Sequence, residues 1–288
     1  MPVLYLIFSV VMGAATSVFG KIYTRREGER TDSATLYTFL LLVSACLGWG
    51  VLYLIDFSFD ARVLFYALLF GISYIAANLG IIQALKCGPA TLTTLFVNLS
   101  LILVTVYGFF FWDEKLTLPV TIGLMLVCLA IFLCLYTRKK EENAVSLKWI
   151  FYIAIAFVGN AACAVVQRTQ QMVFDGQHGN MLMFFAILIA ALFYMVIFIK
   201  ADKRDAKVIL CDSWWAPVLA ALLNVGHNLF VLLLATTELS ASLIYPVIGV
   251  GGLAIVTVFS LFVFKERMRW WQWLGVGVGA IAVVLLSI

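Results

Sequence analysis

The chain has 288 residues, 64% of them hydrophobic and 12% charged, with a formal net charge of +4. Soluble domains carry about 25% charged residues, so this composition, with a mean hydropathy of +1.08, excludes a soluble enzyme, a secreted disulfide scaffold, a disordered tail and a nucleic-acid binder. The lipid bilayer is the expected solvent, and the apolar runs approach the roughly 20 residues that a helix needs to cross it, without the period-two alternation of an outer-membrane barrel.

In chain order, hydropathy predicts ten spans near residues 3–23, 34–55, 63–85, 90–112, 117–136, 149–170, 180–199, 214–236, 240–264 and 270–287. Met1-Pro2 leads directly into the first of these, and its basic cluster (Lys21, Arg25, Arg26, Arg30) follows the apolar run, so this segment reads as a retained span and not as a signal peptide. Within the spans only Lys21 and Arg168 are charged, and no acidic residue is expected at membrane depth. The longest connections, 25–32, 138–147 and 201–212, are too short to hold a folded extramembrane domain. The middle one divides the chain into two five-span halves, 1–140 and 141–288.

The halves repeat. A shift of 152 residues lays Leu101, Val104, Thr105, Val106, Phe110, Glu114, Gly123 and Ala130 onto Leu253, Val256, Thr257, Val258, Phe262, Glu266, Gly275 and Ala282. A shift of 146 lays Gly13, Ala15, Leu36 and Phe39 onto Gly159, Ala161, Leu182 and Phe185. Five spans is an odd number, so the second half crosses the membrane in the opposite sense to the first, which makes an inverted repeat. The expected fold class is therefore an all-α integral membrane protein with ten transmembrane helices in two inverted five-helix repeats.

The cysteines read as small apolar packing residues, and with only His178 and His227 in the chain no metal, redox or cofactor site is expected. Glu114 and Glu266 each sit where a span ends, beside Lys115 or between Lys265 and Arg267, which suits loop-anchoring ion pairs better than proton coupling. Gly275 and Gly279 form a GxxxG pattern that packs either within the bundle or across a dimer. Pro246, followed by Gly249, Gly251 and Gly252, should kink or loosen span nine, as a static bend or as a hinge.

Polar residues at membrane depth mark candidate sites. Span eight carries Asn224, His227 and Asn228 on one helical face; span four carries Thr91, Thr94, Asn98 and Thr105; span three has Tyr74 and Asn78; span six has Asn160 and Gln167; span nine has Tyr245. Each forms an interhelical hydrogen bond or lines a substrate cavity. Lys21 and Arg168 either snorkel to an interface or gate and attract an anionic group.

The run Tyr245-Pro246, then Phe264-Lys265-Glu266-Arg267-Met268, then Trp271-Gln272-Trp273-Leu274-Gly275-Val276-Gly277, with the degenerate copy Trp112-Asp113-Glu114-Lys115-Leu116-Thr117 and Gly123, resembles the EamA-type members of the drug/metabolite transporter superfamily. The resemblance implies a ten-helix transporter whose cavity is lined mainly by spans one, three, four, six, eight and nine, with spans five and ten peripheral. It also implies a plasma (inner) membrane location, expected here to be bacterial, with both termini in the cytoplasm. The charges point the other way, because connections on one side hold sixteen Lys and Arg against three (Arg62, Lys115, Arg168) on the other, which puts both termini outside.

Cation-exporting relatives depend on a glutamate in their first span, and no acid is expected there in this chain. Amides, hydroxyls and one imidazole suit a small neutral or zwitterionic metabolite, with His227 as the group that would carry a coupling proton. The alternatives are an exporter of organic anions or of cations and drugs with the same fold, or a non-transporting assembly subunit. Too few convergent catalytic groups are present for an intramembrane enzyme. A monomer or weak homodimer is expected.

Overall fold

The computed structural model describes residues 1–28, 30–87, 90–135, 146–201, 204–263 and 270–286. They form eleven α-helices and, among the described residues, no strand. These are α1 (Pro2–Glu27), α2 (Ser33–Ile55), α3 (Ala61–Cys87), α4 (Ala90–Phe111), α5 (Leu118–Leu135), α6 (Leu147–Val173), α7 (Gly179–Lys200), α8 (Ala206–Ser213), α9 (Trp215–Ala235), α10 (Ala241–Val263) and α11 (Trp270–Leu286). Seven helices (α1, α2, α3, α6, α7, α9 and α10) are long and apolar enough to cross a membrane, and α4, α5 and α11 contain the shorter apolar stretches Phe96–Phe111, Leu118–Leu133 and Trp273–Leu286. Helix α8 lies in the connection that hydropathy left without structure, because its composition is too polar to register as a span.

The first helix extends beyond the expected span 3–23 and brings an acid to its end. It runs about a turn past its apolar stretch and ends on Glu27, which is fully buried. The carboxylate tolerates burial because Arg30 Nη1 lies 2.8 Å from its Oε2, Arg26 Nε lies 3.6 Å from its Oε1, and the Ser213 hydroxyl donates to it. A buried charge without such partners would neutralise or unfold its surroundings.

Contacts divide the chain into two compact units, each drawing on both sequence halves. The first comprises residues 3–75 and 166–236, the second residues 76–165 and 237–288. Lipid tails are as apolar as leucine, so close fit, more than apolar burial itself, selects partners in such a bundle.

In the first unit α2 packs on α7 and α9, with Phe39 stacked on Phe198 at 4.8 Å and Tyr53 on Phe184 at 5.6 Å. Helices α1 and α9 run antiparallel and in register. Phe8 stacks on Phe230 at 5.2 Å, Met12 meets Gly226, Thr16 Oγ1 donates to the Ala220 carbonyl at 3.4 Å, and Phe19 meets Trp215 edge-on at 6.1 Å.

In the second unit α5 packs against α11 and α4 against α10, around Val120, Val127, Ile131, Val250, Ala282 and Leu286. Gly279 brings α11 onto Val250 of α10 and Ala130 of α5, so this glycine serves packing within the unit. Helix α10 runs continuously through Pro246.

Candidate functional site

Helical periodicity puts Asn224, His227 and Asn228 on one face of α9, and all three are part-buried. His227 Nδ1 lies 2.8 Å from the Ser9 carbonyl oxygen and 3.0 Å from Ser9 Oγ on α1. Asn228 Nδ2 donates to the Asn224 carbonyl at 2.9 Å and to Asn224 Oδ1 at 3.2 Å. From α6, Gln167 Nε2 donates to the Asn228 carbonyl at 3.4 Å. Arg168, next to it in the chain, is only 6% exposed, so its side chain does not extend to the surface as a snorkelling arginine would. Tyr74 stacks on Phe70 at 6.1 Å, and Lys21 is part-buried on α1.

The remaining predicted residues belong to the second unit. Asn160 Nδ2 donates to Ser100 Oγ at 2.7 Å and to the Val97 carbonyl at 3.4 Å, and the Tyr245 hydroxyl donates to the Ala164 carbonyl at 3.3 Å. These are interhelical hydrogen bonds. Asn78 and Asn98 are part-buried, and Thr105 is fully buried. The side chains of Thr91 and Thr94, and the whole of Glu266, lie outside the described residues.

Glu114 is an anchor of a kind that its neighbours in sequence did not suggest. Its carboxylate accepts the backbone N–H of Ala241 at 2.5 Å and of Ser242 at 3.1 Å. It therefore caps the first turn of α10, where unpaired amides and the positive helix end favour an anion.

At one end of the first unit a cavity of about 500 Å³ is lined by Asp56, Ser58, Asp175, His178 and Asn180, over Leu229, Leu232 and Leu233. His178 Nδ1 lies 2.9 Å from Ser58 Oγ, and Asn180 Nδ2 donates to Asp56 Oδ2 at 3.4 Å. Nearby, Asp60 is gripped by Arg62, whose side-chain and backbone hydrogen bonds hold the carboxyl at about 2, below its ordinary range. Among the described residues no group of three His, Cys, Asp or Glu is placed to hold a metal ion.

Sequence reasoning missed Ser9, since a lone serine in an apolar run carries no signal without its partner across the bundle. It also missed Glu27, for which the available signal was a Glu-x-x-Arg spacing directly after the first apolar run.

Long apolar helices whose outward side chains, among them Leu47, Leu54 and Phe65, are exposed, and whose polar groups bond to one another inside, define a multi-pass membrane protein. The EamA-like transporter family matches it twice, at residues 1–136 and 140–288. The chain belongs to that family, a family of membrane transporters with small-molecule substrates. A solved crystal structure shares the fold, with a TM-score of 0.75 at 12% identity over 99% of this chain and 97% of that one. None of the curated proteins matches the sequence.

Proposed function

We propose that the protein is a secondary transporter of a small polar metabolite, neutral or zwitterionic, working by alternating access with ten spans in two inverted repeats. The substrate contacts the Asn224, His227 and Asn228 face of α9. One observation carries this reading: amides and an imidazole share a part-buried face in the middle of a helix otherwise made of apolar residues. Buried polar groups left without partners cost about 1–3 kcal/mol each, and an alternating-access protein uses groups at mid-depth because both half-open states reach them. Tyr74, Asn78, Thr94, Asn98, Asn160, Gln167 and Tyr245 are secondary contacts in this reading, and Lys21 and Arg168 tune the local charge.

The buried Glu27 does not argue for a cationic substrate, because Arg26 and Arg30 already neutralise it. A plasma-membrane location and a monomer or weak homodimer complete the proposal, with His227 available to couple a proton.

The test is counterflow into proteoliposomes holding only the purified chain, with a panel of radiolabelled amino acids, nucleosides and vitamins. Uptake that is lost in His227→Ala and retained in Cys128→Ala supports the reading. Uptake confined to organic anions or organic cations would favour an exporter of those classes, and no flux of any solute would favour an assembly subunit.

A further inference from the structure

His227 meets α1 through one edge of its ring. Nδ1 lies 2.8 Å from the Ser9 carbonyl oxygen and 3.0 Å from Ser9 Oγ, and Ser9 is fully buried. A carbonyl oxygen can only accept, so the shorter contact requires the proton on Nδ1, with the serine oxygen receiving the same N–H more distantly.

A carbonyl inside a helix is already bonded to the N–H four residues on, and the side chain at that position normally screens its second lone pair from a neighbouring helix. Four residues on from Ser9 is Gly13. A Cβ built there would stand 2.9 Å from His227 Nδ1 and 3.1 Å from Cε1, too close for both to remain. The missing side chain is what opens the Ser9 carbonyl to the imidazole.

A neutral imidazole has one donor nitrogen and one acceptor nitrogen, and the bond made by one decides the role of the other. With Nδ1 as the donor, Nε2 carries the lone pair. Nε2 makes no hydrogen bond among the described residues, and the ring is part-buried, so its lone pair has no partner within the protein.

We infer that Ser9 and Gly13 are positioning residues that hold His227 in the Nδ1–H tautomer, so that Nε2 accepts a hydrogen bond and the transported molecule must offer an N–H or O–H donor at that point. The inference rests on the reading of His227 as a substrate contact. It narrows the substrate class to amides, amines and alcohols, and disfavours solutes that present only acceptors there, such as esters or tertiary amides.

The tautomer can be read without any transport assay. In detergent-purified protein labelled with ¹⁵N-histidine, His178→Gln leaves His227 as the sole imidazole, and at about pH 8, above the ordinary imidazole range near 6.5, the ring is neutral. The expected spectrum has a protonated Nδ1 and an unprotonated Nε2. Gly13→Ala in the same background pushes the ring off the carbonyl and shifts the population towards Nε2–H, the form favoured in water, whereas Ser9→Ala keeps the carbonyl and changes the tautomer little. Propionamide, which has N–H donors, should move the Nε2 resonance, while N,N-dimethylpropionamide, which has none, should not. Gly13→Ala should weaken the propionamide titration by about tenfold, the equivalent of one hydrogen bond.

A wild-type ring protonated on Nε2 would overturn the inference, as would a folded Gly13→Ala protein with an unchanged tautomer. Equal shifts from both amides, or no shift from either up to its solubility limit, would overturn the substrate half. If Gly13→Ala does not fold, the wild-type spectrum and the two amides still decide. The expected spectrum in a protein that moves no solute would leave the tautomer assignment standing and overturn the transport reading alone.

Discussion

At the scale of single residues, two carboxylates, one buried and one capping, each tie neighbouring elements within one unit. Glu114 caps α10 through two backbone amides. Removing its charge in Glu114→Gln should cost about 1 kcal/mol of stability, and removing the cap in Glu114→Ala about 2 kcal/mol. Flux per folded molecule should stay near wild type in both, and thermal unfolding alongside a flux assay checks this. Normal stability with abolished flux would make Glu114 a transport group instead. Glu27 is a different case, because it is fully buried while its partner Arg30 is about one-third exposed. Arg30→Ala should destabilise by about 2 kcal/mol, between the 3–5 kcal/mol of a fully buried pair and the 0–1 kcal/mol of a surface one. Glu27→Gln combined with Arg30→Ala should recover part of that loss, since the stranded charge is what costs most. Glu114 was visible in the sequence through its repeat with Glu266, but its partner was not. Lys115 is adjacent in the chain, whereas the amides of Ala241 and Ser242 are more than a hundred residues away, and sequence patterns report near neighbours best.

At the scale of elements, the long apolar helices were legible to within a few residues because hydropathy and helix length measure the same quantity. What hydropathy could not read was structure outside the apolar runs, namely the short helix α8 and the last turn of α1, which polar partners stabilise. The turn between α6 and α7 is a third example. Gly176 there has φ of +79°, a backbone conformation open to glycine and strained for other residues, and a Cβ at this position would lie 2.7 Å from Thr236 Cγ2. Gly176→Ala should therefore lower stability by about 1–2 kcal/mol through backbone strain, with a further loss from the clash. Thr236→Ser removes Cγ2 and keeps the hydroxyl that donates to the Leu233 carbonyl at 2.8 Å. The double variant should relieve the clash and not the strain, so its melting temperature should fall between those of Gly176→Ala and wild type. A double variant as unstable as Gly176→Ala alone would mean that Thr236 moves aside without cost.

At the scale of the whole molecule, the sequence is organised in halves and the packing is organised in units that each draw on both halves. The repeat is legible in a sequence because it is a relation between residues at fixed spacing. The units are not, because they depend on which surfaces meet. The same limit applies to the candidate site, where a stripe such as Asn224, His227 and Asn228 can be read from periodicity, while Ser9 enters only once α1 lies against α9. Orientation is the one whole-molecule property for which sequence supplies a physical force directly. With ten spans, the Lys and Arg of the connections fall sixteen on one side and three on the other. Translocating a basic connection is unfavourable, so the richly basic side is expected to stay in the cytoplasm. Both termini are then expected outside, against the habit that the family resemblance implies. In the structure Arg30, from the connection after α1, is tied through Glu27 to Ser213 and itself lies 3.6 Å from Asp212 at the end of α8. This joins two of the basic connections in one ionic cluster, which puts them on the same side, as the count assumes, and is compatible with either orientation. A C-terminal periplasmic phosphatase fusion should be active and a C-terminal green fluorescent fusion dark. The reverse pair of results would show that the family arrangement prevails over the charge count. In that event, replacing Arg25, Arg26 and Lys21 with glutamine should leave the topology unchanged, whereas under the charge-determined orientation the same replacement should produce a mixed population of the two topologies.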